Sequence, residues 1–81
     1  MALRGYILID TAVGSARSVT EAVQQLAHAG ARLMAADTVT GPYDVIVHFE
    51  ALDLDQLGRY ISSGIQKIPG VKRTTTCLAI S

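Results

Sequence analysis

The chain has 81 residues, seven basic against seven acidic side chains, and a formal charge of zero. That length sets one domain, residues 1–81, as the expectation, and neutrality with scattered Lys and Arg argues against a surface that binds nucleic acid directly. One cysteine excludes an internal disulfide and any cysteine-based metal centre, and no apolar run reaches membrane length, so no metal, cofactor or bilayer is expected and the cytoplasm is the default compartment.

Gly5-Tyr6-Ile7-Leu8-Ile9-Asp10 is apolar on both faces and reads as a central strand covered on both sides. Thr11 to Ser15 is small, contains Gly14 and reads as a loop. Ser18-Val19-Thr20-Glu21 has capping-box spacing, so a helix starts there or a few residues earlier, near Ser15. Val19, Ala22, Val23, Leu26 and Ala27 define its apolar face, and Gly30 stands where a helix C-terminal glycine belongs. His28 is placed as a partner for that helix's dipole, and Cys77 as a small apolar side chain packed on a strand. Arg32 to Thr40 reads as a strand in which Leu33, Ala35 and Asp37 alternate with Arg32, Met34 and Ala36.

Thr40-Gly41-Pro42-Tyr43-Asp44 reads as a tight hairpin corner, because Gly41 permits backbone shapes other residues resist and Pro42 fixes its own φ. Tyr43 to Glu50 is the next strand, with Val45, Val47 and Phe49 alternating with Asp44, Ile46 and His48. Asp53-Leu54-Asp55-Gln56 is a second capping box, and Leu54, Leu57, Ile61, Ile65 and Ile68 form the buried stripe of its helix. Arg59, Ser63, Gln66 and Lys67 point the other way. Gly64 lies beside the stripe, where close backbone packing would explain it, and Pro69-Gly70 stops the helix. Val71 to Ile80 is the last strand.

The order βαββαβ implies right-handed crossovers and an α+β, ferredoxin-like fold: a four-stranded antiparallel sheet with two helices on one face and the first and third strands central. The other sheet face is then bare. Apolar residues are 49% of the chain, and a domain this small buries only about 60% of its unfolded surface. A second subunit's sheet face is the expected cover, giving a dimeric α+β barrel.

No Gly-rich phosphate loop, nucleophile elbow or paired metal-spaced His is present in the sequence. His48 has two readings: a general base in a cavity between sheet and helices, or a strand histidine at an interface or edge. Tyr6 and Tyr60 read as packing residues with one wet end. The Gly41–Asp44 corner offers free N–H groups for a carboxylate and Asp44 for an ammonium, the two halves of a zwitterion; a plain hairpin turn capped by Asp44 is the other reading. On the last strand Thr74 and Thr76 share a face, where two hydroxyls could orient a polar ligand or serve only as good strand formers.

Val39-Thr40-Gly41-Pro42-Tyr43-Asp44-Val45, then Asp53-Leu54-Asp55-Gln56-Leu57, then Ile65 to Thr76 resemble the effector domain of the Lrp/AsnC transcription regulators, the RAM domain, over nearly the whole chain. The resemblance implies a non-enzymatic, oligomeric binder of an amino acid or similar small effector, involved in regulating amino-acid metabolism or transcription. It implies homodimers joined through sheet faces and assembled into rings, octamers or decamers, with effectors in clefts between dimers. It carries Gly41, Tyr43 and Asp44, with Thr74 and Thr76, onto that cleft, and gives Arg59 and Ser63 on the second helix the role of tuning which effector side chain is accepted. The chain starts at the effector domain, so the expectation is a stand-alone member without a helix-turn-helix, acting alone or with full-length Lrp/AsnC regulators. The alternative function is a small dimeric α+β barrel enzyme, of monooxygenase or isomerase type, using His48.

Overall fold

Backbone hydrogen bonding draws six main elements from the chain: β1 (Leu3–Thr11), α1 (Ala16–Gln25), β2 (Ala31–Thr38), β3 (Val45–Ala51), α2 (Leu54–Arg59) and β4 (Val71–Leu78). They are seen in a computed structural model that describes residues 2–81. The strands form one antiparallel sheet in the order β2-β3-β1-β4, so β1 and β3 are central, as their apolar character requires. Both helices cover one face, making the ferredoxin-like βαββαβ arrangement.

Strand alternation sorts the side chains between the two faces. Ile7, Ile9, Val45, Val47 and Phe49 are 0% exposed and meet Val19 and Val23 of α1 and Leu57, Tyr60 and Ile65 of the second helical segment. Each such burial is worth about 1.5–3 kcal/mol against leaving the side chain in water. Tyr6, Leu8, Ile46 and His48, at the alternate positions, point away from the helices.

Several local expectations are corrected. Helix α1 begins at Ala16, near the earlier start expected, with Ser15 at the position before it making no side-chain capping bond; Ser18 is not the cap, and its hydroxyl donates back to the Ser15 carbonyl at 3.0 Å. Gly30 is not the helix C-terminal glycine, since α1 stops at Gln25. Its reason is space: a Cβ there would collide with the Gln56 side chain. Gln56 Oε1 accepts from His28 Nε2 at 3.1 Å, so His28 serves a tie between loop and α2 rather than the helix dipole. In β2 the register shifts between Leu33 and Ala35, a bulge at Met34 that reverses the alternation and buries Ala36 instead of Ala35.

The second helix does not run unbroken to Ile68 as its apolar stripe predicts. It is α-helical only to Arg59, then passes through a π turn at Tyr60–Gly64 and a 3-10 turn at Ile65–Lys67. Asp53 caps it as expected, accepting the Gln56 N–H at 2.8 Å. The changed winding, with Gly58 and Gly64 offering little resistance, accompanies burial of Tyr60 to 1% exposure. Leu54, at the start of the helix and expected in the buried stripe, is instead 64% exposed. Gly64 lets the Leu26 side chain approach to 2.8 Å of where a Cβ would stand, the close packing its position suggested. Tyr60 has no wet end: its hydroxyl is buried without a partner, and burial raises its pKa above the ordinary tyrosine value. Cys77 is exposed on β4 instead of packed.

Candidate functional site

The corner between β2 and β3 is a longer loop than a two-residue hairpin. Val39 N–H donates to the Asp44 carbonyl at 2.9 Å, closing a loop through Thr40, Gly41, Pro42 and Tyr43. Gly41 takes φ +150°, outside the range other residues favour. The N–H groups of Thr40, Gly41 and Tyr43 meet no acceptor among the described residues. Gly41 and Pro42 are exposed, and Tyr43 and Asp44 are half-buried.

Asp44 ties this loop to β1. Its N–H donates to the Ile9 carbonyl at 3.0 Å. One carboxylate oxygen, Oδ2, accepts the Thr11 N–H at 2.9 Å and the Thr11 hydroxyl at 3.3 Å, leaving Oδ1 free of partners among the described residues. Asp44 is thus both a cap for the first loop and a half-available carboxylate. Beside it an open cavity of about 420 Å³ is lined by Thr11, Val13, Gly14, Arg17, Thr38 and Asp44. It holds both signs of charge, one from Arg17 and one from Asp44. Thr38, in its lining, is held by a 2.7 Å hydroxyl contact with Thr20, whose hydroxyl reaches the Ala16 carbonyl at 3.0 Å. A second open hollow of about 400 Å³, lined by Asp10, Thr11, Lys72 and Arg73, lies on the far side of Thr11.

Thr11, Arg17 and Thr38 are residues that sequence reasoning missed here. Thr11 reaches Asp44 because Ile9 opposes Val45, a pairing register that the sequence does not show. The other expected site residues stand elsewhere. Thr74 and Thr76 oppose Ile9 and Ile7, which puts them on the helix side of edge strand β4. Thr74 Oγ1 accepts from Gln66 Nε2 at 3.1 Å, and Thr76 is exposed. Arg59 and Ser63 are exposed as the helical wheel requires, with Arg59 held by Asp55 at 3.1 Å and Ser63 in the π turn. Strand β1 separates β4 from β3, so Thr74 and Thr76 stand roughly 10 Å across the sheet from the strand that Asp44 opens. One copy of the chain therefore groups Gly41, Tyr43 and Asp44 but does not join them to the threonines.

His48 lies on the sheet face away from the helices, so it reaches no cavity between sheet and helices. Its ring stacks on Tyr6 with centroids 4.7 Å apart and planes 14° apart. This removes the general-base geometry on which the enzymatic alternative stood. Among the described residues there is also no cluster of His, Cys, Asp and Glu able to hold a metal, and no helix is long and apolar enough to cross a membrane.

These features define a two-layer α+β binding module with a polar corner. The profile of the Lrp/AsnC ligand binding domain matches residues 5–81. TTHA0845 from Thermus thermophilus is 28% identical with a TM-score of 0.85, the match covering 98% of this chain and 94% of that one. FFRP-DM1 is 33% identical with a TM-score of 0.83, covering 96% of this chain and 99% of that one. A Neisseria meningitidis transcriptional regulator, NMB0573, solved as an L-Met complex, shares the fold with a TM-score of 0.81 at 14% identity; the match covers 98% of this chain and 50% of that one. No match was found among curated proteins. The chain belongs to the Lrp/AsnC ligand-binding domain family, whose role is regulatory effector binding.

Proposed function

We propose that this chain is a non-enzymatic sensor of an amino acid or a similar small effector, and that the effector site is completed only between copies. The observation that carries this reading is the split of the site in one chain: a corner with unpaired N–H groups and a half-free Asp44, and a remote strand with Thr74 and Thr76. The chains pair through their open sheet faces, and the dimers assemble into rings that bring the corner of one dimer to the threonines of the next. Val13, fully exposed at the tip of the loop beside the corner, supports a further contact there. The N–H groups take the effector's carboxylate, and Asp44 Oδ1 takes its ammonium. Arg59 and Ser63 face the effector's side chain, and Arg59 favours an acidic or amide group even while it is paired with Asp55. An effector at such a junction stabilises the assembly that contains the whole site. The L-Met complex of a regulator of this fold supports an amino acid as the ligand class.

Calorimetric titration with each of the common amino acids tests the reading, using the wild type and Asp44→Asn. Asn still accepts from Thr11 but lacks the charge, so the account predicts measurable heat for the wild type and at least tenfold weaker binding for the variant. A protein that binds no amino acid would overturn the proposal, and a preference for lysine or arginine would remove Arg59 from its assigned role.

A further inference from the structure

The open sheet face carries a charge pattern that selects how a second copy can sit on it. Six charged residues border this face, and four of them are already matched within the chain. Arg32 pairs with Glu50 at 3.4 Å and Arg73 with Asp10 at 3.1 Å. Arg4 and Asp37 enter no ion pair among the described residues; Arg4 reaches only the main-chain oxygen of Ser81, at 2.7 Å. One unmatched cation and one unmatched anion on a face are self-complementary under a two-fold axis.

The register then fixes where that axis falls. Arg4 on β1 stands opposite Glu50 of β3, and Asp37 on β2 stands opposite Ile46 of β3. Strand β3 runs between β1 and β2, and the residue midway from Glu50 to Ile46 on it is His48. A two-fold axis lying between two facing sheets, and bringing Arg4 of each copy over Asp37 of the other, therefore passes over His48. The two His48 rings meet on it. The diagonal from Arg4 to Asp37 spans two strands and four residues, about 10 Å by 13 Å, which puts the crossing of the two sheets nearer the orthogonal class than the aligned one.

The surroundings of His48 offer a second positive charge little support. Directly across on β1 is Tyr6, with Arg4 and Leu8 on the diagonals. Directly across on β2 is Ala35, with Asp37 beyond it. Along β3 the same-face neighbours are Ile46 and Glu50, the latter held by Arg32. Cys77 and Thr75 of β4 lie a strand further out, past Tyr6 and Leu8, and the helices are on the other face. The Nε2 atom is buried with no hydrogen-bond partner, so a proton added there has no acceptor waiting.

We propose that a second copy of this chain seats on the open sheet face about a two-fold axis through His48, with Arg4 of each copy against Asp37 of the other, and that protonating the facing His48 rings loosens the dimer. This rests on the dimer reading above and adds its register and its pH sensitivity. Histidine is the side chain whose charge changes between about pH 5 and 8, and like charges brought together in a covered interface repel.

Sedimentation equilibrium of the whole chain at pH 7.5 and pH 5.5 tests both parts. The wild type is expected to dissociate at least tenfold more readily at pH 5.5, and His48→Phe to change by less than twofold. At pH 7.5, Arg4→Glu and Asp37→Arg should each weaken the dimer at least tenfold, and the double variant should recover most of the loss. A wild-type dimer indifferent to pH, or a shift that persists in His48→Phe, overturns the role of His48. A double variant no tighter than the singles overturns the register. A folded wild-type monomer at both pH values overturns the dimer reading itself.

Discussion

The two faces of one sheet differ more than any two strands in it. On the helix side Ile7, Ile9, Val45, Val47 and Phe49 are sealed, and the one polar side chain buried with them, Thr20, has its hydroxyl satisfied. On the other side Tyr6, Leu8, Ile46 and His48 form a smaller apolar centre ringed by six charges, four of them paired within the chain. A face meant for water would carry polar residues at its centre, and a face meant for the chain's own helices would carry none at its rim. The open face has an interface's composition: an apolar middle and a polar border. The covered face makes the fold, while the open face has the composition that the proposed dimer requires.

That contrast can be broken by substitution. Phe49→Ala on the covered face should cost about 3–5 kcal/mol in urea unfolding, because the cavity cannot collapse around a sheet packed on two sides of the residue. Asp44→Ala, at the end where corner and first loop meet, should cost about 1–2 kcal/mol and speed hydrogen exchange at the Thr11 amide, whose acceptor it removes. Tyr60→Phe should move stability the other way, raising the unfolding midpoint by an amount equivalent to about 1 kcal/mol, since it deletes a buried hydroxyl with no partner. Ile46→Ala on the open face should cost least, about 0.5 kcal/mol in thermal unfolding of diluted protein. A loss at Ile46 as large as that at Phe49 would erase the distinction between the faces.

Much of the fold was legible in the sequence because periodicity reports burial. The runs Gly5–Asp10 and Val45–Glu50 announced two central strands, and Asp53 with Gln56 announced the start of α2. What stayed hidden was local rewinding. Nothing in Arg32–Thr40 marks Met34 as a bulge, because a bulge is set by the partner strand. The π turn at Tyr60–Gly64 arises from packing between Leu26 and Gly64 and from a tyrosine drawn into the core, and a wheel of fixed pitch cannot foresee either. The corner was legible as a corner, with Gly41 and Asp44 in place, but its link to Thr11 depends on strand register. The proposed union of Gly41, Tyr43 and Asp44 with Thr74 and Thr76 is not made within one chain, because β1 lies between the strand that follows the corner and β4.

The most direct test of the central claim is the mass of the protein in solution by light scattering at micromolar concentration, for the wild type and for Leu8→Asp, with and without a mixture of amino acids. The account predicts a wild type of at least two chains whose mass distribution responds to the mixture, and a Leu8→Asp variant that keeps its circular dichroism but runs as one 8.6 kDa chain. A folded wild type of 8.6 kDa, indifferent to amino acids, would contradict it.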